Sequence, residues 1–116
     1  MKEYKRSERV SDLIYREVSN ILLRDIKDPR VEMVTITGTK VSDDLHHAIV
    51  FYSVIGDEKR WSEVGQGLKS SKGYVKRELG KRLKMRYLPD IKFVEDRTME
   101  KGDRIDRMLS ELSNDG

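Results

Sequence analysis

Residues 31–55 read VEMVTITGTKVSDDLHHAIVFYSVI. β-Branched residues crowd the first half, at Val31, Val34, Thr35, Ile36, Thr37, Thr39 and Val41. Such side chains fit a pleated strand, so a strand over 31–41 is expected. Ser42-Asp43-Asp44 is a short polar turn, with aspartates able to bond nearby backbone N–H groups. A second strand is expected from Leu45 to Ile55. One of its faces carries Ala48, Val50, Tyr52 and Val54, the other Ile49, Phe51, Ser53 and Ile55. Both faces are largely apolar, which predicts burial on both sides. A connection this short makes the pair an antiparallel hairpin.

Upstream, Val10, Leu13, Ile14, Val18, Ile21 and Leu22 recur at helical spacing. They predict a helix from Ser7 to Arg24, with Ser7 as its N-cap. Pro29, within Lys27-Asp28-Pro29-Arg30, stops that helix and starts a turn. Downstream, Gly56-Asp57 ends the second strand, and Asp57 suits a helix cap. Trp61, Val64 and Leu68 form one apolar stripe, and Trp61 is expected in the core. Val75, Leu79 and Leu83 form another. Ser70-Ser71-Lys72-Gly73 separates the two stripes, which predicts helix, kink and helix with the kink at Gly73. Gly65 and Gly67 weaken the first segment or mark tight packing. Leu88-Pro89-Asp90 is a connection, and Ile91 to Glu95 a short third strand. Ile105, Met108, Leu109 and Leu112 predict a C-terminal helix that frays over 113–116. The expected class is α+β: a two-layer sandwich of helices on a three-stranded sheet.

The chain has 116 residues, which suits one domain spanning 1–116, with 97–116 as a helical extension. Hydrophobic residues make up 36% and charged residues 39%, so the core is modest and the surface heavily charged. There is no cysteine, which excludes disulfides, thiolate nucleophiles and cysteine-based zinc sites. No apolar run approaches the ~20 residues of a membrane span, and residues 1–10 are too charged for a secretory signal. A soluble, cytoplasmic protein without membrane association is expected.

The net charge of +3 says little about partners, but its distribution says more. Between Lys69 and Arg86 stand eight basic residues and one acid, Glu78. On a helical wheel Val75, Leu79 and Leu83 group together and face the sheet. Tyr74, Arg77, Lys81 and Lys84 project from the opposite side, with Lys76 and Arg82 flanking the stripe. Lys69, Lys72 and Gly73 lie at the N-terminal edge. Such a face suits nucleic acid: cations neutralise phosphates, Tyr74 offers a ring for an unpaired base, and Gly73 lets a backbone come close. It also suits an acidic protein partner, and charge alone does not choose between the two. The plainer reading is a solvated face that keeps the protein soluble.

An enzyme has little foothold. His46 and His47, adjacent in a strand, point to opposite faces and cannot share a metal. Asp43-Asp44 is turn chemistry rather than a carboxylate dyad. No Walker loop, GxGxxG or HExxH is present. No catalysis, metal or cofactor is expected.

Several segments together resemble the ribosome-binding factor A family. They are Asp28-Pro29-Arg30-Val31, Val34-Thr35-Ile36-Thr37 and Val41-Ser42-Asp43-Asp44-Leu45, then Phe93-Val94-Glu95-Asp96, Gly102 and Ile105-Asp106-Arg107-Met108-Leu109. They occur in the family's order over nearly the whole chain. The resemblance implies a KH-like fold of type II order, helix-strand-strand-helix-kink-helix-strand, without the GxxG loop of ordinary KH domains. It also implies an Ala-x-Gly kink between the central helices. Here Ser71-Lys72-Gly73 stands at that place, with serine for alanine. It further implies a monomeric, non-catalytic assembly factor that binds the small ribosomal subunit and its rRNA. Such a factor supports late maturation and 5′-end processing of that rRNA, including in the cold, and a biogenesis GTPase accompanies its release. Placed on this sequence, the expected RNA contacts are Lys69, Ser71, Lys72, Gly73, Tyr74, Lys76, Arg77, Lys81, Arg82 and Lys84.

Overall fold

The structure, a computed structural model, describes residues 5–32 and 34–97. The expected C-terminal helix and extension therefore lie outside the described residues.

Helix α1 spans Arg6–Arg24. Val10, Ile14, Val18 and Ile21 recur every three or four residues and are all buried, which is what holds this stretch helical. Leu13 sits about 100° from the centre of that stripe and is 38% exposed. The N-cap is Lys5, not Ser7. Ser7 lies inside the first turn and is buried, with its hydroxyl donating to Asp43 at 3.3 Å. A contact to the hairpin turn thus takes the hydroxyl that capping would have used.

The first strand starts later than expected. Pro29–Val31 form a single 3-10 turn. Asp28 caps it, accepting from the Arg30 backbone N–H at 2.9 Å and from its guanidinium at 2.7 Å. That fork holds the Asp28 carboxyl below its ordinary pKa. Strand β1 is Thr35–Val41 and β2 is His47–Ser53. They pair antiparallel, with Thr39 opposite Val50 and Val41 opposite Ala48. A register shift between Ile36 and Gly38 gives β1 one extra residue, Thr37. It puts Ile36, Thr39 and Val41 on one face, although their spacing is not even. Strand β3, Asp90–Glu95, runs parallel to β2, with Ala48 beside Ile91 and Val50 beside Phe93. The sheet order is β1-β2-β3.

Helix α2 runs unbroken from Glu58 to Leu83. Asp57 caps it by accepting from the Arg60 N–H at 3.0 Å. The two helical segments expected on either side of Gly73 are one helix. The reason is Ser71, which is buried and fills the step between Leu68 and Val75. Trp61, Val64, Leu68, Ser71, Val75 and Leu79 then make one stripe with steps of three and four residues. The glycine that matters for packing is Gly67. A Cβ there would meet Val31 Cγ1 at 2.8 Å and Arg30 Cβ at 2.9 Å, so only glycine lets α2 cross the 3-10 turn so closely.

One core joins the layers, with Ile14, Val18 and Ile21 of α1, Val64, Leu68 and Leu79 of α2, and Val50 and Ile91 of the sheet. Trp61 is 3% exposed and packs near Tyr52, with ring centroids 6.0 Å apart. The sheet is covered on one face only among the described residues. Ala48, Val50 and Tyr52 are buried, whereas Ile49 and Phe51 on the other face are half-buried and Ile55 is 90% exposed. Within the described residues β2 is thus buried on one face and half-buried on the other, and Ile55 lies beyond its end. No helix among the described residues is long and apolar enough to cross a membrane.

Candidate nucleic-acid interface

The unbroken register of α2 decides which basic side chains share a surface. At ~100° per residue, Lys69, Gly73, Arg77, Gly80 and Lys84 fall on one strip opposite the buried stripe, and all five are exposed. Lys81 and Tyr74 border this strip on one side, Lys72 and Lys76 on the other. A Cβ at Gly73 or Gly80 would meet nothing within 4 Å. Neither glycine is required by packing. They leave two bare patches of backbone between cations.

The remaining expected site residues have engagements of their own. Ser71 is buried in the stripe, turned away from the strip. Arg82 lies on the α1 side, at 3.3 Å from Glu17, 2.8 Å from Asp25 and 3.6 Å from Glu78. Partial desolvation opposes its charge, but the hydrogen bond to Glu17 and the fields of Asp25 and Glu78 outweigh this and raise its pKa. Lys76 stands 3.6 Å from Asp90 of β3, and Lys81 3.2 Å from Glu78. Among the described residues Lys69, Lys72, Arg77 and Lys84 form no ion pair, so their charge is directed outward. The sequence supplied the cluster but not this partition, because Glu17 and Asp25 come from another helix.

Helix α2 ends at Lys84 in left-handed geometry, φ 51°. Residues 84–89 then lead to β3. Met85 and Leu88 pack against the core, Pro89 is fully buried, and Arg86 and Tyr87 face outward. The basic surface therefore continues past the helix onto a loop with anchors on both sides of its tip.

Nothing else in the described residues gathers into a reactive site. His46 lies in the hairpin turn rather than in β2, and His47 is the first residue of the strand. No group of three His, Cys, Asp or Glu able to hold a metal occurs among the described residues. A hollow of about 410 Å³ between α1 and β1 is lined by Ser7, Ser11, Asp12, Thr39 and Asp43. Its hydroxyls serve the packing: Ser11 donates to the Thr39 carbonyl at 2.9 Å, and Thr39 donates to the Ser11 carbonyl at 2.7 Å.

Comparison with known proteins bears on the family and the fold. The family model described as ribosome-binding factor A matches residues 6–109. A protein of that name from Syntrophus aciditrophicus is 45% identical over 120 residues, covering 100% of this chain and 98% of its own length. A solution NMR structure from Thermotoga maritima, assigned to the same family, superposes with TM-score 0.72 at 26% identity, over 84% of this chain and 92% of that one. A homology model of Thermus thermophilus ribosome binding factor A, fitted into a cryo-EM map of a 30S complex, superposes with TM-score 0.62 at 21% identity, over 75% and 91% of the two chains.

Proposed function

From the premise that this chain belongs to the ribosome-binding factor A family, we propose that it binds the small ribosomal subunit through the exposed strip of α2. The family is one of non-catalytic, ribosome-associated factors. The Thermus relative fitted into a 30S complex has the same fold, which supports the choice of subunit. The observation that carries the reading is the strip itself. Lys69, Arg77 and Lys84 face outward in line, with exposed backbone at Gly73 and Gly80 between them. Such a line matches phosphates along an RNA strand, and the bare glycines let the strand approach. Lys72 and Tyr74 extend the contact to either side.

In this reading the protein is a cytoplasmic monomer with a KH-like domain. It assists late maturation and 5′-end processing of small-subunit rRNA, including in the cold, and leaves with the help of a biogenesis GTPase. Ser71 in place of the family's alanine leaves RNA contact to its neighbours, since it fills the buried stripe.

Co-sedimentation with small subunits, large subunits and whole ribosomes over a salt series tests it. Binding selective for free small subunits and steeply weakened by salt is expected. The double variant Lys69→Glu, Arg77→Glu lowers the salt slope by about two or more. Lys76 is left alone because it pairs with Asp90. Equal binding to all three particles would reduce the strip to a generic polyanion binder. A partner that survives nuclease treatment would favour an acidic protein instead.

A further inference from the structure

We infer that Tyr87 is a stacking platform for an unpaired RNA base, at the end of the basic strip. The inference rests on the small-subunit reading above and adds the class of RNA that the site takes. Tyr87 is 75% exposed, unlike Tyr52 in the core. The Arg86 guanidinium lies over its ring, 5.5 Å from the centroid. One ring face is thus met by a cation, and the exposure leaves the other to solvent.

The backbone of the loop is anchored on both sides of the ring. Met85 and Leu88 pack against the core on either side of the tip, and Pro89 is fully buried. Proline also fixes its own φ and restricts the residue before it. Immediately after Pro89, Asp90 enters β3, with its backbone N–H donating to the His46 carbonyl at 2.9 Å. A backbone anchored this way has little freedom left to lose on binding, so less of the stacking energy goes into ordering the loop.

Position supplies the ligand. Lys84 ends the strip three residues before Tyr87, and Arg86 adds a further cation. A strand whose phosphates follow Lys69, Arg77 and Lys84 reaches Tyr87 next, where a base can stack opposite Arg86. Bases in a duplex are stacked on each other and cannot do this, so the platform selects single-stranded or bulged RNA.

The full-length chain is tested with single-stranded oligoadenylate, duplex RNA and purified small subunits. Tyr87→Ala and Tyr87→Leu are expected to weaken oligoadenylate binding about five- to a hundredfold. Duplex binding and the salt slope stay unchanged, because no charge is removed. Tyr87→Trp binds at least as well as the parent. Leucine keeps apolar area but has no π face, so a leucine variant that binds oligoadenylate like the parent would overturn the inference. Equal losses for single-stranded and duplex RNA would overturn it too. If Lys69→Glu, Arg77→Glu loses small-subunit binding while the Tyr87 variants keep full oligoadenylate affinity, the platform fails and the strip stands. If the charge variant also binds subunits normally, the small-subunit reading itself fails.

Discussion

Nη2 of Arg82 lies 2.8 Å from the Asp25 carboxylate, so the last turn of α2 is tied to the residue that caps α1. Glu17 adds a second tie at 3.3 Å. Charge at this position therefore serves the seam between helices. Arg82→Gln is expected to lower the thermal midpoint and to leave the salt slope of small-subunit binding as it was. Arg77→Gln should do the reverse. Thermal melts beside binding at several salt concentrations check the pair.

Two glycines of α2 should respond in opposite directions to alanine. Gly67→Ala drives a methyl into Val31 and the Arg30 Cβ, and overpacking of this kind costs about 1–3 kcal/mol. Gly80→Ala meets open space and should stabilise by up to about 1 kcal/mol through helix propensity. Chemical denaturation of both variants gives the two signs directly.

Leu79 is fully buried where α2 meets the rest of the core. Leu79→Ala is expected to cost about 2–5 kcal/mol. Its denaturation midpoint should fall without a change in the slope against denaturant.

Arg97 closes the described chain onto α2. Its guanidinium pairs with Glu58 and Glu95 and lies over the Trp61 ring, 4.1 Å from the centroid. The hydrogen bond from Arg97 holds the Glu58 carboxyl below its ordinary value of 4.5. A lowered folded-state pKa means stability that is present above the ordinary value and lost as pH falls through the folded one. Glu58→Gln should therefore melt below the parent at pH 7, and the gap should close as the pH drops well below 4.5. Melts across pH 2–7 decide this; a gap that persists in acid would assign the effect to packing.

The hairpin, the Asp57 cap and the third strand are legible in the sequence because each depends on neighbours along the chain. What escaped reading depends on partners elsewhere. Ser71 looks like a break, since only its burial shows it to be the missing step of a stripe. Ser7 looks like a cap, but its hydroxyl goes to Asp43, 36 residues on. Val31 has strand chemistry but sits in a 3-10 turn beneath Gly67. Among the site residues, the cluster and Tyr74 were visible by composition. The ion pairs of Arg82 were not, because its carboxylates are 57 and 65 positions away. Tyr87 was hidden for another reason: exposure of a loop aromatic follows from which of its neighbours are buried.

The parallel pairing of β3 with β2 bears on the order in which the molecule is made. β1 and β2 meet across a short turn, while Asp90 reaches His47 only after the whole of α2 has been laid down. Closing the longer loop costs more chain entropy and is the slower step. A nascent chain that has just released α2 already carries its cations but does not yet have a fixed Tyr87 loop, because Pro89 and Asp90 have no strand to join. The surface thus matures in sequence, charge first and the aromatic tip last. A chain truncated before β3 would hold the first and lack the second.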